Sequence, residues 1–201
     1  MIIEKKHHLY LPQDLNIDWD SLEPIFNELL GRNINSVDEL EHWLKDKSEL
    51  EAALEEDLAW RYIKMTCDTS NDDLVKSFQY FATEIEPKMA PLNTNLNKEL
   101  VDSAFVSELN HDEYYVYLRG VKKSLELFRE ENIPLQTEIQ IEQQKYQSIT
   151  GAMSVTFNGQ EYTLEQAANF LKDLNRETRQ QAWENITSRR LVDKEQLDEL
   201  F

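Results

Sequence analysis

One short polar motif recurs along this chain and limits what the chain can fold into. It is a capping side chain followed three residues later by Glu or Gln. It reads Asp20-Ser21-Leu22-Glu23, Ser36-Val37-Asp38-Glu39, Asn110-His111-Asp112-Glu113, Thr163-Leu164-Glu165-Gln166 and Asp193-Lys194-Glu195-Gln196. Each first residue brings an oxygen that can accept from a backbone N–H left unpaired by helix geometry. The apolar spacing agrees with helices. Tyr114, Leu118, Val121, Leu125 and Phe128 keep a three-to-four-residue step, as do Leu74, Phe78, Phe81 and Ile85. Ala53, Trp60, Ile63 and Cys67 lie along one face, and Ala182, Trp183 and Ile186 mark a late helix closing on Arg189 and Arg190. With 4 Gly and 5 Pro in 201 residues, a turn-rich β fold is disfavoured.

The expected fold is therefore mainly α, a multi-helix lobe with one exception. Met153 to Thr163, MSVTFNGQEYT, alternates Val155 and Phe157 and then turns at Asn158-Gly159, two residues that tolerate positive φ. That is a β-hairpin, and a lone hairpin must pack on neighbouring helices to be stable. Pro87, Pro91 and Pro134 are expected at kinks or ends, and Asn132 to Glu138 as a loop that restarts a helix. No Gly/Ser linker and no repeat divides residues 1–201, which read as one helical region.

Charge excludes several function classes. At −18, the chain repels phosphate backbones and anionic lipid, so neither nucleic acid nor membrane is an expected partner. No apolar run reaches about 18 residues, and the first twelve residues lack a signal-peptide centre, so a cytoplasmic location is expected. Nucleotide-binding glycine motifs and GxSxG are absent.

The candidate chemical groups are few. Cys67, the sole cysteine, closes an apolar stripe at a helix end, beside Asp68. The negative end of the helix dipole and that carboxylate both oppose a thiolate, so Cys67 is expected in the core, with Thr69 or Ser70 opening the next helix. The histidines are His7, His8, His42 and His111. None forms HExxH. Glu39…His42 and Glu108…His111 have the i, i+3 spacing of di-iron carboxylate bundles, but two occurrences are only a mild excess over chance in so acidic a chain. His7 and His8 read as a solvated stretch. The four tryptophans and Tyr114 to Tyr117 read as core and interface, and the acidic run around Glu55 as a solvated face.

Several stretches, taken in order, resemble one family. They are Asp57 to Asp72 (DLAWRYIKMTCDTSND), Ile85 to Pro91, Leu125 to Glu138, Lys145 to Leu171 and the closing LDELF. Together they are similar to the N-terminal part of oligoendopeptidase F-like zinc metallopeptidases, relatives of thimet oligopeptidase. The similarity spans nearly the whole chain, and MTCDT and ITGAM are its most specific pieces. It implies a cytoplasmic enzyme that cleaves short peptides in a deep channel, with zinc held by HExxH and a distant glutamate. This chain has no HExxH and no glutamate that can be matched to the zinc-binding one, so the resemblance assigns it no catalytic and no metal residue. Zinc is expected in a missing catalytic half, and residues 1–201 are expected to be a piece of a longer enzyme, inactive alone. The segment would wall the substrate channel, with the strand of Val155 and Phe157 as an edge for extended peptide; simple packing under helices is the weightier reading of that hairpin. The alternative is a free-standing acidic helical interaction module without activity.

Overall fold

The computed structural model describes residues 9–69 and 71–200. His7, His8, Ser70 and Phe201 lie outside the described residues. The chain divides into two compact units, residues 1–62 with 77–137 and residues 63–76 with 138–201. The division falls inside helices, which is why no linker composition marks it.

The first unit is helical. It contains α1 (Trp19–Leu30), most of α2 (Val37–Cys67), the end of α3 (Asp72–Tyr80), a π-helical turn (Phe81–Ile85), α4 (Glu86–Asp102), a 3-10 turn (Val106–Glu108) and α5 (His111–Leu127). Its core follows the helical step: Leu22, Phe26 and Leu29 from α1; Leu40, Trp43 and Leu50 from α2; Leu96 and Leu100 from α4. Burying each such side chain is worth roughly 1.5–3 kcal/mol. Trp43 is fully buried, and its Nε1–H donates to the Leu29 carbonyl at 3.0 Å, satisfying an acceptor that the end of α1 leaves open. Lys47 is also buried, and its ammonium reaches Glu51 and the Tyr117 hydroxyl.

Side-chain clips hold the segment before α1. The Glu49 carboxylate accepts the backbone N–H groups of Tyr10 at 3.0 Å and Leu11 at 2.9 Å. The Tyr10 hydroxyl donates to Glu28 at 2.6 Å, and Arg32 bridges Glu28 and Asp46. Burial, with the Glu28 carboxylate beside it, pushes the Tyr10 hydroxyl well above its ordinary pKa. Hydrogen bonding to Arg32 holds Glu28 below the usual carboxylate range.

The caps correct the sequence reading in three places. Asn71, where Thr69 or Ser70 is expected, opens α3, its side-chain oxygen accepting from the Asp73 N–H at 3.1 Å. Asp18, not Asp20, caps α1, accepting from the Ser21 N–H at 2.9 Å. Asp193 turns its carboxylate back to Arg189 and makes no cap bond to α9 (Lys194–Glu199), because a charged partner one helical turn away competes better than a backbone amide. Ser36 and Asn110 accept from Glu39 N–H at 3.2 Å and Asp112 N–H at 3.0 Å, as their motifs predict. Thr163 forms a complete capping box with Gln166.

Pro87 and Pro134 stand at helix starts as expected, whereas Pro91 lies inside α4 and the expected loop at Asn132 to Glu138 is absent. Asn132 to Glu138 is already helix, the start of α6 (Asn132–Gly151), because Pro134 stands in the first turn, where a missing N–H costs nothing. Pro87 follows the π-turn, where the Glu86 N–H bonds the Phe81 carbonyl. The widened turn takes up the clash that a mid-helix proline would cause.

The face of Trp60, Ile63 and Cys67 is the largest correction. All three are exposed, Trp60 at 52%. The inward stripe of this part of α2 runs through Leu50, Leu54, Leu58, Arg61 and Met65, about half a turn round the helix. Arg61 masks that stripe in a hydrophobicity reading, yet it belongs inside. Its guanidinium pairs with Asp57, donates to Ser77 O at 3.1 Å and to Ile17 O at 3.2 Å, and lies over the rings of Tyr80 and Phe81. Of the tryptophans only Trp43 is core; Trp60 and Trp183 are exposed, as are Tyr115, Val116 and Tyr117.

The second unit carries the hairpin. β1 (Ser154–Phe157) and β2 (Gln160–Thr163) pair antiparallel, with Phe157 opposite Gln160 and Val155 opposite Tyr162. Asn158 has φ 52° and Gly159 φ 80°, as a two-residue turn between right-twisted strands requires. α7 (Leu164–Ala168), a 3-10 turn (Asn169–Lys172) and α8 (Arg176–Val192) follow. Met153, Val155, Leu164 and Ala167 form its core with Ile149, Ile186 and Leu197 around them.

Candidate functional site

The sequence points to Val155 and Phe157. Both side chains are turned into the second unit, at 8% and 3% exposure. Phe157 stacks on Phe170 with ring centres 4.4 Å apart, and Tyr162 meets Phe170 edge-on at 5.1 Å. These aromatic contacts explain why the hairpin is stable here though marginal alone. In a two-residue hairpin the pair flanking the turn exchanges both hydrogen bonds and the pattern alternates, so the backbone groups of Thr156 point away from β2. The Thr156 carbonyl accepts from Asn185 Nδ2 of α8 at 3.3 Å. The outward side of β1 is therefore partly engaged by the unit's own helix.

The histidine pairs are not brought together. Glu39 accepts from the Asn35 N–H at 2.7 Å, while His42 Nδ1 lies 2.7 Å from the Asp38 carbonyl oxygen. Glu108 ends the 3-10 turn and His111 begins α5, so the second pair sits on two elements. Among the described residues no three His, Cys, Asp or Glu side chains are grouped so as to hold a metal. The described residues thus do not fit the zinc centre that the family resemblance implies. Among them, also, no helix is long and apolar enough to cross a membrane.

Sequence reasoning missed a groove in the first unit. It measures about 370 Å³, with Val106, Leu109 and Leu118 beneath and Tyr115, Arg119 and Lys122 along its rim. His111 stacks on Tyr115 at 4.8 Å, and the Arg119 guanidinium lies 5.8 Å from the same ring. Burial raises the pKa of Tyr114 in its wall, with Glu41 and Glu113 adding to the effect. The available signal was the i, i+4, i+8 spacing of His111, Tyr115 and Arg119, which puts them on one helix face.

A mainly α protein with one hairpin packed on its helices is the class these features define. A family model, the peptidase M3 N-terminal domain, matches residues 15–128, more than half of the chain, and the chain belongs to that family. Solved structures share the fold. One assigned as oligoendopeptidase F matches at a TM-score of 0.82 and 24% identity, over 91% of this chain and 33% of its own. A second, assigned as oligoendopeptidase F from Bacillus anthracis str. Ames, matches at 0.79 and 20%, over 90% of this chain and 34% of its own. PZ peptidase A with an inhibitor matches at 0.81 and 20%, over 94% and 34%. The chain thus spans about a third of the length of these structures. No curated protein matches it by sequence.

Proposed function

We propose that this chain is the N-terminal, non-catalytic part of an oligoendopeptidase F-like zinc metalloendopeptidase that hydrolyses short peptides in the cytoplasm. The observation that carries the reading is the family match over residues 15–128, joined by a shared fold over nine-tenths of the chain that accounts for only a third of each peptidase structure. In this reading the chain supplies no zinc ligand, no nucleophile and no general base. It walls the channel and restricts entry to oligopeptides, while the zinc is held by other residues of the enzyme.

The β1 strand is the proposed channel edge. Since Val155 and Phe157 face the unit's interior, recognition would run through the backbone of Ser154 and Thr156, with Asn185 releasing the Thr156 carbonyl to an incoming peptide amide.

Two measurements test the reading. The 201-residue chain with added zinc should release no fluorophore from an internally quenched oligopeptide and should retain no stoichiometric zinc after dialysis. Chelator-sensitive turnover by this chain alone would overturn its non-catalytic role. The open reading frame that encodes it should also contain an HExxH motif; a frame without one would favour a free-standing interaction module instead.

A further inference from the structure

The groove along α5 combines two features. Its floor is apolar, from Val106, Leu109 and Leu118, and the charged side chains of its lining are cationic, Arg119 and Lys122. This occurs in a chain with 39 acidic and 21 basic residues, where a lining free of carboxylates is not the background expectation. Seven of the other cations are spent in ion pairs, Arg32, Lys47, Arg61, Lys88, Lys123, Lys145 and Arg189. Among the described residues Arg119 and Lys122 form no ion pair.

Arg119 also has a ring contact that favours one orientation before any partner arrives. His111, Tyr115 and Arg119 follow one another along one face of α5, with His111 stacked on the Tyr115 ring at 4.8 Å and the Arg119 guanidinium 5.8 Å from the same ring. A pre-positioned fork loses less freedom when it meets a carboxylate. Tyr115 remains half exposed at 50%, available as a contact surface. The nearby acid residues stand outside the lining, among them Glu41, whose charge reaches Tyr114 in the wall. Glu126 is engaged by Lys123 at 2.9 Å, Asp112 leans toward His111 at 3.7 Å, and Glu108 and Glu113 are exposed outside the lining.

We propose that this groove docks an acidic peptide segment carrying one large apolar side chain: the apolar side chain enters the floor, and flanking carboxylates meet Arg119 and Lys122. The volume is at the small end of ligand pockets, enough for an anchor residue and not for a folded element. The net charge of −18 does not forbid this, because charges beyond roughly 8 Å are screened at physiological salt and the groove presents its cations at contact range. The same net charge disfavours a polyphosphate, whose charge runs on past the groove over acidic surface. This inference does not rest on the peptidase reading.

The test uses the whole chain and three fluorescein-labelled peptides of roughly ten residues, read by anisotropy. One has glutamates flanking a leucine and a phenylalanine, one replaces the glutamates by lysines, and one replaces the two apolar residues by serines. The first should bind, and the other two should bind about tenfold more weakly or not at all. The exposed double variant Arg119→Glu/Lys122→Glu should weaken the first peptide about tenfold, and Tyr115→Ala several-fold, with unchanged circular dichroism and Tm. Arg190→Glu, on α8, should leave binding unaltered. Equal binding of all three peptides, no effect of the double variant, or an equal effect of Arg190→Glu would overturn the proposal. So would displacement of the peptide by self-association of the chain, seen by sedimentation as protein concentration rises, since the groove would then belong to a second copy.

Discussion

Arg61 is the residue whose replacement most sharply tests how the first unit is held. Its guanidinium joins three segments: Asp57 on its own helix, Ser77 on α3, and the Ile17 carbonyl before α1. The side chain is only 17% exposed, so its partners are largely shielded from water. Arg61→Ala removes charge-assisted bonds that each contribute about 1.5–3 kcal/mol, and it strands Asp57 at 27% exposure with two carbonyls short of a donor. Water entering the gap recovers part of this, leaving a loss of about 3 kcal/mol. In a chain of this length that is a fall in Tm of roughly 6–12 °C. Arg61→Lys is the discriminating variant. An ammonium can keep Asp57 but cannot span to Ser77 and Ile17 as a planar fork does, so about 2 kcal/mol should still be lost. Urea unfolding followed by circular dichroism, with the slope checked for constancy, reads both values. If Arg61→Lys falls within about 0.5 kcal/mol of the parent, charge alone matters and the fork argument fails. If Arg61→Ala costs under about 1 kcal/mol, the three contacts are not what fastens these segments.

Three further outcomes are expected. Cys67 should react with a chromogenic disulfide at nearly the same rate in native buffer as in urea, since it is exposed; protection of about a hundredfold in the native state would restore it to the core. Gly159→Ala places a Cβ at φ 80° and should cost about 1 kcal/mol without steric conflict, as no atom lies within 4 Å; Trp183 fluorescence in the same unit reads that loss. For Tyr10 the folded hydroxyl titrates above its ordinary 10.0, so its stabilising contribution is complete below pH 10.0 and is lost as pH rises through the window above. The Tm of the parent should therefore fall more steeply than that of Tyr10→Phe in that window, and parallel curves would remove Tyr10 from the account.

Much of the architecture was legible because it is written in local chemistry. Asn158-Gly159 specifies its turn through backbone freedom that few other residues have, and Thr163 with Gln166 specifies a helix start within four residues. The inward positions of α5, Tyr114, Leu118, Val121 and Leu125, follow from one unbroken period. The errors share a cause. Asp18 outcompetes Asp20, Asp193 prefers Arg189 to a backbone amide, and α2 turns Arg61 inward while leaving Trp60 and Ile63 outside. Each is a competition between two chemically adequate choices, and a period or motif does not say which partner is within reach.

The sequence by itself determined that the chain is helical, that one hairpin interrupts the helices at Asn158-Gly159, and that no HExxH is present. Those follow from residue chemistry within a few positions along the chain. Only the tertiary structure decided which stripe of α2 is core, that Glu49 clips the segment at Tyr10 and Leu11, and that Val155 and Phe157 point inward at Phe170 and its neighbours. The clip and the inward turn of Arg61 depend on groups 38, 39 or 44 positions apart meeting at hydrogen-bond distance, as Glu49 does with Leu11 and Tyr10 and Arg61 with Ile17. Burial and pairing at that range are properties of packed neighbours, and a linear pattern carries no record of who those neighbours are.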